Sequence, residues 1–236
     1  ISSVGRYGKV AVDLYDGKNL PYLDNMVNTI LIQNSGCPVP ATELTRVLAP
    51  RGAILIRKTG NERLIEAIDF PSVEIDSHLV KFTKPVSSDT DEWTHYLHGP
   101  DNNAVSQDTI VGPPKRLQWA CGPLWSRSHE TDMSMSGAVS AAGRIVYFID
   151  EGPIGVHESP EETRRLPDKF SLVGRDAFNG IELWRRPVSN WGSKAWDDNR
   201  QRWGINDLMW SSPATLPRRL VPINDTFFLT LGYRTF

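Results

Sequence analysis

The stretch Leu172-Val-Gly-Arg-Asp-Ala-Phe-Asn-Gly-Ile-Glu-Leu-Trp184 leaves the chain few options. Phe170–Asp176 is an apolar, β-type run. Asn179-Gly180 is a strong hairpin signal, and Ile181–Arg185 alternates as a returning strand. A carboxylate at Asp176 can accept N–H groups inside the turn, and Gly180 supplies a position with φ > 0. Trp184 then lies on the returning strand, where an indole can bury about 150–250 Å² against a neighbouring sheet. Such a unit is stable only when other sheets cover it.

The same grammar recurs nearby. Gly143–Ile149 reads as a strand, and Leu220–Leu231 reads as a hairpin turning at Asn224-Asp225. All eight tryptophans lie after residue 90. Pro85–Thr90, with its Pro and Ser content, reads as a linker. We therefore expect residues 1–84 and 91–236 to be separate segments joined by 85–90.

The first segment alternates strand and helix patterns. Lys9–Leu14 is a short β-type run. Met26–Gln33 is apolar and β-branched, of strand length. Pro40–Ala49 predicts a helix, capped by Thr42 and stopped by Pro50-Arg51-Gly52. Ala53–Ile56 is a buried-strand run. Asn61–Ile68 predicts a second amphipathic helix with Leu64, Ile65 and Ile68 inward. Val73–Phe82 suits a strand or hairpin. Strand–helix–strand order argues for an α/β segment with a parallel sheet.

Bulk composition excludes some classes. The 236 residues carry 26 Lys+Arg against 28 Asp+Glu, a net charge of −2. Nucleic-acid and anionic-membrane binders usually need a basic excess. No apolar run approaches the ~20 residues that span a bilayer. Cys37 and Cys121, one in each segment, do not make a disulfide framework.

Two resemblances follow. Asp16-Gly-Lys-Asn-Leu-Pro-Tyr-Leu-Asp24, the apolar strand after it, and Glu43-Leu-Thr-Arg-Val-Leu-Ala-Pro-Arg-Gly52 resemble the C-terminal half of a class I S-adenosylmethionine-dependent methyltransferase. The resemblance implies a Rossmann-like α/β remnant and places Asp16 near the cofactor's adenine. The family's Gly-rich loop, whose backbone N–H groups approach the ligand, is missing from Ile1–Tyr7. The second resemblance covers residues 91–236. Asp91-Glu-Trp-Thr-His-Tyr-Leu-His-Gly-Pro-Asp-Asn-Asn103, Gly112-Pro-Pro-Lys-Arg-Leu-Gln-Trp119, Met135–Tyr147 and Leu172–Trp184 resemble the pyrroloquinoline-quinone-type (PQQ, quinoprotein-like) repeat, with Asn103 where Gly is usual. It implies an opener strand, a closing strand ending at Trp119, one blade and the start of a second. The two together look like planctomycete-type proteins that join both modules.

A propeller blade takes about 40–45 residues and closure takes at least four blades. The expected fold is thus an α/β Rossmann-like remnant followed by β-propeller blades in an incomplete propeller. The start at Ile1 and the unfinished hairpin before Phe236 lead us to expect a piece of a longer protein. The expected partner is the remainder of the propeller or another protein chain, with no nucleic acid.

Candidate ligand-binding residues lie in two places. Arg127, His129 and Asp132 stand in a dense polar stretch that can grip an anionic or sugar-like ligand by charge-assisted hydrogen bonds; a solvated loop is the plainer reading. His95 and His98, three apart, would share a helical face and could offer imidazoles to a metal, but no four-ligand set accompanies them. Packing under a blade is the simpler role. Three tryptophans among Lys and Arg in Asn190–Trp203 suit either an aromatic platform or a surface anchor.

Three functions compete. The first is a non-catalytic binding or scaffolding segment needing no cofactor, extracytoplasmic (periplasmic) by resemblance. The second is a quinoprotein dehydrogenase using PQQ with calcium. The third is an S-adenosylmethionine-dependent methyltransferase. No catalytic residue is identifiable for the last two.

Overall fold

The computed structural model describes residues 10–110, 112–113, 117–122, 135–152, 169–189, 220–231 and 234–235. The chain divides into two compact units, Ile1–Pro85 and Val86–Phe236.

The first unit holds β1 (Val27–Ile32), α1 (Ala41–Val47), β2 (Leu48–Arg57), α2 (Glu62–Glu66), β3 (Ser72–Glu74) and β4 (Leu79–Thr83). The sheet order is β1-β2-β4-β3. β1 pairs with β2 in parallel, whereas β4 runs antiparallel to both β2 and β3. Ile32, Leu44, Leu48, Ile54, Ile56, Ile68, Val80 and Phe82 form the core, with Leu64 and Ile65 packed against it.

The helix expected over 40–49 ends two residues early, because Leu48 is already extended (ψ 127°). Pro50-Arg51-Gly52 does not stop a helix but kinks β2. Arg51 takes φ 65°, and the β1–β2 register slips between Val27 and Thr29. Gly52 is required there: a Cβ would lie 2.7 Å from the Ala49 carbonyl oxygen and 2.9 Å from that of Asn28. Thr42 does not cap α1; Pro40 occupies the N-cap, with no side-chain bond. Lys84 closes the other end, its Nζ donating to the Thr45 and Leu48 carbonyls and to Asn25 Oδ1 at 2.7–2.8 Å. That satisfies acceptors a helix C-terminus leaves open. Lys9–Leu14 forms no strand over its described residues, and Val12 and Leu14 are exposed.

The second unit holds β5 (Met135–Ala141), β6 (Arg144–Asp150), β7 (Phe170–Asp176), β8 (Glu182–Pro187), β9 (Leu220–Ile223), β10 (Thr226–Leu231) and β11 (Arg234–Thr235). β5 to β8 form an antiparallel meander in chain order, and a separate sheet has the order β11-β10-β9. Alternation along β6 and β7 gives the meander two buried faces. Val139, Val146, Phe148, Phe170 and Leu172 pack with Leu220, Phe227 and Leu229 of the other sheet. Tyr147, Ile149 and Val173 cluster separately.

The turn after β7 is built as its residues require. Asp176 Oδ1 accepts the Phe178 and Asn179 amides, and Gly180 sits at φ 73°. Trp184 lies opposite Gly174 and fills the space a side chain there would need, since a Cβ on Gly174 would come 2.2 Å from the indole. Its ring meets Phe227 edge-on at 6.2 Å.

The expected fold class is corrected by these elements. Among the described residues strand far outweighs helix, in three small sheets, with two helices of seven and five residues. Among the described residues no Rossmann-like α/β remnant forms, because Leu48 and Ala49 enter β2 and Val73–Phe82 folds back antiparallel, leaving one parallel pair. Nor do the described residues close a propeller: they supply one four-stranded and one three-stranded sheet after residue 86. The closing strand expected over 112–119 is not strand at residues 112–113 and 117–119, and 114–116 lie outside the described residues.

Candidate functional site

The segment around Asp91 brings together the most chemistry in the second unit. Its backbone is pinned to β5: Trp93 pairs with Ser140 as an antiparallel bridge, and Glu92 Oε1 accepts the Ala142 amide at 2.7 Å. Asp91 Oδ2 receives His98 Nε2 at 2.6 Å, the Gln107 amide at 2.6 Å and Ser106 Oγ at 3.3 Å. Its Oδ1 accepts the Glu92 amide. The Gln107 amide first, and the His98 ring after it, hold the carboxyl at about 2. The Trp93 ring stands edge-on to His98 at 5.3 Å.

His95 and His98 do not share a helix face. They oppose one another as a bridge in a tight turn, with His98 at φ 70°. His95 Nδ1 lies 2.9 Å from Thr94 Oγ1, so its polar contact is local. Ser106 donates to Asp91 and not to the imidazole. The three residues therefore do not line up as nucleophile, base and orienting acid. Among the described residues, no group of three or more His, Cys, Asp or Glu could hold a metal ion. Arg127, His129 and Asp132 lie outside the described residues, as does Asn190–Trp203.

In the first unit Asp16 shapes a turn. Its Oδ1 accepts the amides of Lys18 and Asn19 at 2.8 and 3.0 Å, which favour the ionised carboxylate and hold its pKa below the usual carboxylate value. Beside it stands Tyr15, whose buried hydroxyl finds no hydrogen-bond partner among the described residues. Desolvation first, and the charges of Asp16 and Glu43 after it, push this phenol up.

Sequence reasoning missed the acid that organises this region. Glu43 is buried on α1, accepts the Leu20 amide at 2.6 Å and pairs with Arg46 one turn on. Arg46 also reaches Asp24 at 2.6 Å and the Tyr22 carbonyl. The Arg46 hydrogen bonds hold Glu43 at about 2. The signal was present as an i, i+3 Glu–Arg pair, which reads by default as solvated surface. Asn61 was missed too: buried, it donates to the Asn34 and Arg57 carbonyls and accepts the Cys37 amide. An apolar cavity of about 420 Å³ runs along β1 beside α1, lined among others by Ile30, Ile32, Val39 and Leu44.

The second unit also hides a buried cation. Arg175 donates to the Tyr147 hydroxyl, the Gly180 carbonyl and Glu182. Trp119 lies over the same turn, its indole N–H donating to the Ala177 carbonyl at 3.1 Å and its ring filling the space above Gly180. The Gly180 and Ala177 carbonyls of the turn are thus both held by side-chain donors.

No helix among the described residues is long and apolar enough to cross a membrane. Comparison with protein-family models, with curated proteins and with solved structures finds no match.

Proposed function

We propose that the chain is a non-catalytic ligand-binding or scaffolding segment of a protein with quinoprotein-like repeats, acting outside the cytoplasm. The observation that carries this reading is the turn over Asp176–Gly180. Its carboxylate and the overlying Trp119 bond backbone groups of the turn, and Arg175 ties the Gly180 carbonyl to the Tyr147 and Glu182 side chains. A repeat of this kind specifies packing, and packing can persist without chemistry. The Asp91–His98 pair supports the same reading, since its hydrogen bonds tie residues 91–108 together. The partner we propose is the remainder of the repeat protein or another protein chain, and Arg127, His129 and Asp132 are the proposed contacts to an anionic or sugar-like ligand.

The test is a titration of the purified chain. Pyrroloquinoline quinone with calcium should give neither an absorbance change nor dye reduction, and S-adenosylmethionine should give no calorimetric heat. Sub-millimolar binding of S-adenosylmethionine, or quinone-dependent dye reduction, would overturn the non-catalytic reading.

A further inference from the structure

We draw no further inference here: the strongest candidate, the apolar cavity of about 420 Å³ along the outer edge of β1 beside α1, is an unpartnered sheet edge, and nothing among the described residues shows what covers it.

Discussion

Replacing Gly180 with alanine tests whether Trp119 and the turn after β7 act as one device. Two costs are separable. The backbone stands at φ 73°, where an L side chain costs ~1–2 kcal/mol. The new methyl would also lie 2.5 Å from Cδ2 and Cε3 of Trp119, closer than carbon atoms can approach. The ring is anchored by its N–H on Ala177, so relief means losing that bond or moving the turn. Overpacking of this kind adds ~1–3 kcal/mol. Gly180→Ala should therefore destabilise the second unit by ~2–5 kcal/mol. In a Trp119→Ala background the methyl has room, and only the backbone cost of ~1–2 kcal/mol should remain. Urea unfolding followed by circular dichroism measures both, and the double-mutant cycle isolates the coupling. Equal costs in the two backgrounds would refute the packing argument.

Further perturbations separate the other contacts. Glu43 has a folded-state value of about 2, below its ordinary 4.5, so its stabilisation is present above the ordinary value and is lost as pH falls towards 2. Acid titration of the first unit should lose that increment between these values, and Glu43→Gln should remove it; an unchanged acid profile in the variant would contradict the Arg46 clamp. Asp91→Asn, which keeps the shape but removes the charge, should speed hydrogen exchange at the Gln107 amide while leaving β6 and β7 amides protected. Lys84→Met should cost ~1–3 kcal/mol in thermal or urea unfolding of the first unit, because the Thr45 and Leu48 carbonyls lose their donor. A neutral result would mean water replaces the ammonium.

Local chemistry in the sequence reached some elements fully and stopped at others for physical reasons. Phe170–Asp176 is a strand with the bounds its apolar run predicts, because all seven residues are buried and no competing pattern exists. The Asp176 and Gly180 roles follow from turn stereochemistry alone. Leu48 and Ala49 misled: both favour helices, yet pairing of Val27 with Leu48 draws them into β2. Lys9–Leu14 carries strand-forming residues, but at its described residues that propensity does not extend into a strand. His95 and His98 have helical spacing, and the intervening turn ignores it. The Trp119–Gly180 contact joins residues about sixty positions apart, beyond any local pattern. At fold level the strand–helix order suggested a parallel α/β sheet, whereas the hairpin over β3 and β4 makes the first sheet mixed.

The most direct measurement is nuclear Overhauser contact between the Trp119 indole and the Gly180 α-protons, read with exchange of the indole N–H. Strong cross-peaks and a slowly exchanging N–H are predicted, since the ring covers Gly180 and donates to Ala177. A freely exchanging indole with no contact to Gly180 would contradict the account.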